Sequence, residues 1–220
     1  MPGFPWQLVT FDIDGTLTRG HGWRFLAERT GQLAAYQRSN DAYLRHEIGE
    51  DEHLRELLQL AAGRRASEIE SILEATPKMP GIAETVDALR GAGAHVALLT
   101  HNPEYVCGWY RRKFGFEGSA GLEGGPPGGD PIVAPGKPRA AKLDGLAVLL
   151  RRFGAPAART VHVGDGWADV PVFRAVGGGV ALNSRLPDVR AAADVAIDLD
   201  NLLGLVEPLG RLRPRAARSA

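Results

Sequence analysis

The stretch QLVTFDIDGTLT, Gln7 to Thr18, decides the fold of this chain. An apolar run from Leu8 to Phe11 is typical of a buried strand, and two carboxylates, Asp12 and Asp14, follow it. Since alternate residues of an extended strand point to the same side, both acids are expected to face one spot beyond the strand end. Two carboxylates that close repel each other unless a cation or a shared proton compensates, and the competing interpretation is an ordinary acidic turn.

Length and composition are those of a globular protein. The chain has 220 residues and is 44% hydrophobic, enough for one core and a small second lobe. Its 26 basic and 26 acidic residues cancel, which argues against nucleic-acid or membrane-surface binding. No apolar run reaches the ~18 residues of a transmembrane helix, and no signal peptide is evident. Because Cys107 is the one cysteine, no internal disulfide is possible and a reducing cytoplasm is expected. The expected oligomeric state is a monomer or homodimer.

The pattern of apolar residues changes after the first motif. From Trp23 to Ala75, apolar residues recur at helical spacings and no convincing strand occurs. Beyond this stretch, strands are predicted at 95–99, 160–163, 179–182 and 195–197, and helices at 82–90, 104–114, 140–153, 169–176 and 202–209. The alternation predicts an α/β fold, a Rossmann-like doubly wound parallel sheet with a small helical cap.

Domain boundaries follow from the same pattern. The α/β core is expected over residues 1–18 and 78–210, and the helical cap over residues 19–77. A basic tail over residues 211–220, with four arginines in ten residues, is expected to be flexible. The Gly- and Pro-rich segment 123–138 is interpreted as a flexible connection.

Polar side chains follow three of the predicted strands. Those after the strand ends are Asp12, Asp14, Thr100, His101, Asn102, Asp165 and Asp169, and Lys142 stands near the start of the helix that leads into the third of these strands. In a doubly wound sheet these ends meet at one edge, where ligands bind. Four carboxylates without a cysteine pair suit a hard cation such as Mg²⁺, whereas a hydroxyl, loop amides and a lysine suit a phosphoryl group. A carboxylate can also act as nucleophile towards phosphorus.

The order of these motifs resembles the haloacid dehalogenase superfamily. The residues that carry the resemblance are FDIDGT (Phe11–Thr16), LLTHN (Leu98–Asn102), Lys142 and VGDGWAD (Val163–Asp169). The segments Lys78–Thr100 and Val163–Phe173 resemble its phosphoserine-phosphatase-like branch, which carries a helical cap between the first two motifs. The similarity extends over nearly the whole chain.

The resemblance implies a Mg²⁺-dependent phosphomonoesterase that hydrolyses a small-molecule phosphate ester through an aspartyl-phosphate. Asp12 would be the nucleophile, and Asp14 would act first as general acid and then as general base. Mg²⁺ would be held by Asp12, the backbone carbonyl of Asp14 and Asp165, with Asp169 in support.

The resemblance also implies the phosphate-binding residues. Thr100 and the amide that follows it would bind the phosphoryl oxygens, and Lys142 would neutralise charge beside the nucleophile. Lys137 competes for the lysine role, but Lys142 has the spacing of the family. His101 and Asn102 adjoin Thr100 and are candidate substrate contacts.

The sequence departs from the branch where the substrate is recognised. His21 stands nine residues after Asp12, where phosphoserine phosphatases carry a glutamate, and their cap arginine falls near Glu56 here, with Arg55 adjacent. Phosphoserine is therefore expected to be a poor substrate. A neutral or anionic ester is favoured, with His21 or Arg24 at its oxygens, and phosphoserine phosphatase proper is the alternative.

Three other functions compete with a phosphatase. A carbon–halogen hydrolase of the same superfamily needs neither a metal nor a second acid, so Asp14, Asp165 and Asp169 count against it. A phospho-acceptor signalling module uses similar side chains but has roughly 120 residues and no helical insert. The third is a catalytically silent interaction protein. The presence of a suitable residue at every catalytic position counts against it.

Overall fold

The computed structural model describes residues 3–122 and 142–215. Within these residues, six strands form one parallel sheet in the order β3-β2-β1-β4-β5-β6. The strands are β1 (Leu8–Phe11), β2 (His95–Pro103), β3 (Gly118–Leu122), β4 (Thr160–Gly164), β5 (Gly178–Leu182) and β6 (Val195–Ile197). The predicted doubly wound parallel sheet is confirmed.

Helices cover both faces of the sheet, which is why its central strands are apolar on both sides. The helices of the core are α5 (Ile82–Gly91), α6 (Glu104–Phe114), α7 (Lys142–Phe153), α8 (Val170–Ala175), α9 (Pro187–Ala192) and α10 (Val206–Arg211). On one face, Val9 and Phe11 belong to the apolar cluster that includes residues of α5, α6 and α10. On the other, Leu8 belongs to the cluster that includes residues of α7 and α8.

Four helices lie between β1 and α5. They are α1 (Gly22–Arg29), α2 (Leu33–Leu44), α3 (Glu50–Ala61) and α4 (Ala66–Ala75). Most of their buried apolar residues form a cluster separate from the cores beside the sheet, with Trp23, Leu26 and Leu57 among its members. An antiparallel bridge between Thr18 and Lys78 joins the two chain segments where this helical region begins and ends.

The strand order places a crevice beside β1. The chain passes from β1 to β2 and β3 on one side, and then returns to β4 on the other side of β1. A doubly wound sheet binds ligands at such a reversal, beyond the carboxyl ends of its strands. Asp12, Thr100 and Asp165 stand at or just beyond the ends of β1, β2 and β4, so the topology brings the three predicted motifs to this crevice.

Several element boundaries differ from the sequence-based prediction. Strand β2 continues to Pro103, with an irregularity after Leu99, where the prediction ended. Strand β3 and helix α9 were not predicted. The predicted helices at 169–176 and 202–209 begin with short 3₁₀ segments, Trp167–Asp169 and Leu202–Leu205. Segment 123–138 with Lys137, and the first two residues of the helix predicted at 140–153, lie outside the described residues.

The flexible tail predicted over residues 211–220 stays a prediction, and the structure describes its residues 211–215. Residues up to Arg211 continue α10, and the amide of Arg215 donates to the carbonyl of Gly177 at 3.0 Å. The guanidinium of Arg215 pairs with Asp194 and with the carbonyl of Phe173. These contacts fix the chain against the sheet at the end of the described range.

No helix in the described ranges has both the length and the apolar character that a membrane span requires.

Candidate active site

Asp12 lies at the floor of the crevice, directly after β1. Its amide donates to the carbonyl of Val163 at 2.9 Å, which extends the pairing of β1 with β4 by one residue. Only 8% of Asp12 is exposed, and the ammonium of Lys142 lies 3.0 Å from its Oδ1. Gly15 has a φ of +77°, and a Cβ there would lie 2.1 Å from Oδ2 of Asp165. The first motif therefore requires glycine for its turn and for the close approach of Asp165.

The carboxylate of Asp14 is held in place from two directions. Its Oδ1 accepts from the amide of Gly22 at 2.6 Å, at the start of α1, and its Oδ2 accepts from Nδ2 of Asn102 at 2.8 Å. A Cβ on Gly22 would lie 2.7 Å from Oδ1, so a bulkier residue would displace this acid. Asn102 donates from both its backbone N–H and its side-chain Nδ2 to the hydroxyl oxygen of Thr100, each at 3.2 Å. The Thr100 hydroxyl is left able to donate to a ligand.

The loop after β4 brings two further acids to the same place. Asp169 is fully buried and accepts from Nζ of Lys142 at 2.5 Å, and from the amides of Asp165 and Gly166 at 3.0 Å each. Asp165 accepts from the hydroxyl of Thr16 at 2.9 Å through its Oδ1. The two acids therefore differ in their surroundings: Asp169 has several donors, and Asp165 keeps an oxygen for a ligand.

Burial and mutual repulsion act on these carboxyl groups. Burial raises the pKa of Asp12, and Lys142 offsets only part of that rise. Burial also raises the pKa of Asp165 well above its usual value, and the neighbouring Asp12 and Asp169 add to the effect. Burial acts on Asp169 too, but Lys142 and the hydrogen bond from His162 outweigh it, so its pKa lies below the usual range. Lys142 alone therefore does not supply enough positive charge to compensate both Asp12 and Asp165.

This deficit of positive charge fits a divalent cation. Asp12, Asp165 and Asp169 each offer an oxygen, and the three oxygens lie within 4.8 Å of one another. Hard carboxylate oxygens are the ligands that Mg²⁺ prefers. The prediction gave the backbone carbonyl of Asp14 a place in the metal set, and the carboxylate of Asp14 is bound separately, by Gly22 and Asn102.

A cavity of about 130 Å³ opens above these acids, between the sheet edge and the four-helix region. Of the predicted substrate contacts, the cavity lining includes Thr100, His101, Asn102, Lys142 and His21. Arg24, also a predicted contact, is not part of this lining: its side chain is 61% exposed and pairs with Glu28 at 2.9 Å. Arg55 and Glu56 also lie outside the lining.

Some residues of the site were not recognised from the sequence. His162 is fully buried in β4, and its Nε2 lies 2.8 Å from Oδ1 of Asp169. With Nε2 donating to this carboxylate, Nδ1 accepts from the hydroxyl of Thr10 at 2.9 Å. Tyr43 and Glu50 of the helical region also line the cavity. Their signal in the sequence is weak, because tyrosines and acids at helical spacing are common.

Lowering the pH should destabilise the folded chain through His53, which lies in the cavity wall on α3. Burial lowers its pKa to about 4, and its Nδ1 pairs with the hydroxyl of Ser39 at 2.8 Å. Between pH 6.5 and pH 4 the unfolded chain binds a proton that the folded chain excludes, so the free energy of unfolding falls as the pH falls. Between pH 7 and pH 5, the free energy of unfolding of His53→Gln should fall by about 1 kcal/mol less than that of the wild type. The figure is kept this small because solvent screens part of the effect.

Urea unfolding of both proteins at pH 7 and pH 5 measures this difference. His95→Gln, which removes an imidazole outside the cavity lining, shows what the loss of another histidine does to the same comparison. Equal pH dependence in His53→Gln and in the wild type would refute the assignment.

Comparisons with known proteins agree with the geometry. A family model described as haloacid dehalogenase-like hydrolase matches residues 6–177. A phosphoserine phosphatase of Mycobacterium tuberculosis is 29% identical over 93% of this chain and 52% of its own length. One from Idiomarina loihiensis is 27% identical over 90% of this chain and 91% of its own length. The chain therefore spans about half the length of the first relative and nearly all of the second.

Solved structures show the same fold at low sequence identity. A structure titled as a phospho-aspartyl intermediate analogue of phosphoserine phosphatase superposes with a TM-score of 0.78 at 19% identity, over 92% of this chain and 98% of its own. A structure titled as a HAD family hydrolase from Salmonella enterica serovar Typhi superposes with a TM-score of 0.80 at 16% identity, over 91% of this chain and 71% of its own. The predicted resemblance to the phosphoserine-phosphatase-like branch is confirmed. The match over residues 6–177 shows that the chain belongs to the haloacid dehalogenase-like hydrolases.

Proposed function

We propose that this chain is a Mg²⁺-dependent phosphomonoesterase that acts through an aspartyl-phosphate. The observation that carries the proposal is the arrangement around Asp12. Its carboxylate is buried at the cavity floor, with Lys142 at 3.0 Å and Asp165 within 4.8 Å. Asp14 lies in the same cavity lining and is held by two donors. A nucleophile beside a lysine and a cation-binding carboxylate, with a second acid in the same cavity, suits transfer of a phosphoryl group.

In the proposed reaction, an oxygen of Asp12 attacks phosphorus and the bond to the ester oxygen breaks. The carboxylic proton of Asp14 passes to the departing alkoxide, which leaves as the alcohol. Asp14, now a carboxylate, then takes a proton from water as that water attacks the phosphorus of the aspartyl-phosphate. Phosphate leaves and Asp12 is regenerated. Gly22 and Asn102 keep Asp14 in one orientation for both steps.

Charge on the phosphoryl group would be met by this chain's own donors and by the metal. The Thr100 hydroxyl and the amide of His101 are proposed to donate to phosphoryl oxygens, and Lys142 to neutralise charge next to Asp12. Asp12, Asp165 and the backbone carbonyl of Asp14 would hold Mg²⁺, with Asp169 supporting Asp165. When bound, Mg²⁺ would supply positive charge to the phosphoryl oxygens.

We propose that residues 19–77 act as a mobile cap. Their helices have a largely separate apolar cluster, and they are joined to the core through two neighbouring chain segments at Thr18 and Lys78. A cap that opens and closes over the cavity would admit the ester and then exclude bulk water from the acyl phosphate.

The activity is tested by phosphate release from p-nitrophenyl phosphate with Mg²⁺ and then with EDTA. We expect turnover that depends on the metal. A carbon–halogen hydrolase would need no metal, so the three clustered carboxylates favour the phosphatase over it. A protein that is silent on this substrate with Mg²⁺ present, yet folded, would contradict the proposal.

Asp165→Asn should distinguish the contribution of metal binding to stability from the stability of the fold itself. Without metal, the change removes a half-buried negative charge that Asp12 and Asp169 repel, so the variant should melt above the wild type in EDTA. The amide oxygen can still accept from Thr16. With Mg²⁺, the wild type should gain stability through binding and the variant should gain little.

Thermal unfolding with and without Mg²⁺ measures both effects without any assay of turnover. The matched control is Asp144→Asn, an exposed acid in the first turn of α7, which should behave as the wild type in both conditions. An undiminished Mg²⁺-induced rise in Tm for Asp165→Asn would exclude Asp165 as a ligand.

Relatives named as phosphoserine phosphatases support that substrate as the alternative within this proposal. A location in the cytoplasm stays a prediction, supported by the free, buried thiol of Cys107. The monomer or homodimer also stays a prediction.

A further inference from the structure

The cavity wall above the nucleophile differs in charge from the wall that the sequence led us to expect. The residues that the helical region contributes are His21, Trp23, Tyr43, Glu50, His53, Leu54 and Leu57. One of them, Glu50, is a carboxylate. Within residues 3–122 and 142–215, Lys142 is the only lysine or arginine of the lining. Since Lys142 is paired with Asp12 and Asp169, the wall beyond the phosphate site offers negative charge alone.

Glu50 lies at the first position of α3, and its side chain is 38% exposed. Among the described side chains, its one ion-pair partner is His101, whose Nδ1 lies 3.4 Å from Oε1. Burial lowers the pKa of His101 to about 3, so the imidazole is neutral and does not balance the charge of Glu50. Burial raises the pKa of Glu50 itself. A cation in the cavity would therefore stabilise the ionised form of Glu50.

His101 supplies a second polar atom to the same wall. In the tautomer that places the proton on Nδ1, which faces Glu50, Nε2 carries a lone pair, and this buried atom has no partner in the part of the chain that the structure describes. Buried polar atoms are nearly always hydrogen-bonded in proteins. A ligand with N–H groups would find its acceptor in the carboxylate of Glu50, on the wall that His101 also lines.

Aromatic rings stand beside this carboxylate. Tyr43 and Trp167 line a recess together with Glu50, His101 and Lys142, whose ammonium is already paired with Asp12 and Asp169. Their rings meet edge to face with centroids 5.6 Å apart, and Nε1 of Trp167 donates to Asp188 at 2.7 Å, which fixes the indole. Burial raises the pKa of Tyr43 to about 12, with the Glu50 charge adding to the effect, so its ring stays neutral. Aromatic faces next to a carboxylate attract organic cations.

A carboxylate on the leaving group would find no such partner. It would enter a cavity that already holds Glu50, and no described arginine of the lining could pair with it. An unpaired charge taken out of water is costly. The exposed position of Arg24, and of Arg55, removes the two cations that could have served an anionic ester.

We propose that the alcohol part of the substrate carries an ammonium group and no carboxylate, and that Glu50 binds this ammonium beside the rings of Tyr43 and Trp167. This inference rests on the proposed phosphatase function and names its substrate class, an aminoalkyl phosphate monoester. It replaces the sequence-based expectation of a neutral or anionic ester.

The test compares kcat/KM of the full chain, with Mg²⁺, for phosphoethanolamine, glycerol 3-phosphate, phosphoserine and p-nitrophenyl phosphate. We expect phosphoethanolamine to exceed both glycerol 3-phosphate and phosphoserine by about tenfold or more. Glu50→Gln should lower the ratio of phosphoethanolamine to p-nitrophenyl phosphate about tenfold. Asp51→Asn, the adjacent exposed acid in the same helical turn, should leave that ratio unchanged.

The outcomes separate this inference from the function beneath it. Failure to hydrolyse p-nitrophenyl phosphate would refute the phosphatase itself. Hydrolysis of p-nitrophenyl phosphate with phosphoserine or glycerol 3-phosphate preferred would overturn the ammonium site alone. An unchanged ratio in Glu50→Gln would also overturn the ammonium site. So would an equal fall of the ratio in Asp51→Asn, because the effect would then come from negative charge at the N-terminus of α3 and not from a contact of Glu50.

Discussion

Asp12→Asn is expected to lower phosphate release by at least about 10³-fold while the fold stays intact, because an amide cannot attack phosphorus. The substitution is nearly isosteric, and Lys142 keeps its other partner, Asp169, at 2.5 Å. The measurement is phosphate release from p-nitrophenyl phosphate with Mg²⁺, with thermal unfolding as the check on folding.

Covalent capture identifies the nucleophile independently of the variant. Beryllium fluoride with Mg²⁺ should bind at Asp12 of the wild type and at no other acid. Asp144→Asn is again the control, since it removes a carboxylate of α7 that lies outside the cavity lining. Activity above a few per cent in Asp12→Asn would show that another group attacks phosphorus.

The fold could be predicted where side chains follow a period. Strand β1 and the two acids after it belong to one short apolar pattern, and parallel strands bring their carboxyl ends together. Strand β3, with the sequence GSAGL, has no such pattern. A Cβ on Gly121 would lie 2.4 Å from the carbonyl oxygen of Asn102, and one on Gly118 would lie 2.8 Å from the ring of Phe153. Close packing with distant parts of the chain explains this strand, and a local pattern cannot reveal it.

The candidate site also contains residues that the sequence could predict and residues that it could not. Its motif residues follow strands, so their neighbourhood could be predicted from the order of elements. The partners of His162 could not, because Thr10 is 152 residues away in the chain and a histidine in a buried strand is usually core. Glu50 faces the cavity while its neighbour Asp51 is exposed, and only the orientation of α3 distinguishes them.

Arg24 illustrates a signal that the sequence did contain. It stands four residues before Glu28 on α1, a spacing at which opposite charges pair along a helix. The pair directs the guanidinium along the exposed surface of α1. Pairing within the helix was therefore a better guide to this side chain than its closeness to the first motif.

Lys142→Met should be the most destabilising change in the site. The ammonium lies 3.0 Å from Asp12 and 2.5 Å from Asp169, and its side chain is 3% exposed. Burial lowers the pKa of Lys142, but the two carboxylates outweigh it and keep the amine charged. Removing it leaves two buried carboxylates without their cation, for which a loss of about 3–5 kcal/mol in the free energy of unfolding is expected.

The pH dependence of this loss has a definite sign. In Lys142→Met, Asp12 and Asp169 should bind protons more readily in the folded chain than in the unfolded chain. The free energy of unfolding of the variant should therefore rise relative to the wild type as the pH falls from 7 to 5. Added Mg²⁺ should also restore part of the stability, because it would bring positive charge back to the same carboxylates.

The matched control is Lys113→Met, which breaks an exposed pair with Glu74 at 2.5 Å between α6 and α4. Exposed pairs contribute about 0–1 kcal/mol, so this variant should unfold close to the wild type at every pH. Urea unfolding of both variants in EDTA makes the comparison. If Lys142→Met lost no more free energy than Lys113→Met, the buried triad would owe its stability to donors other than the lysine, and the hydrogen bonds of His162 and the loop amides to Asp169 would be the groups to examine by the same measurement.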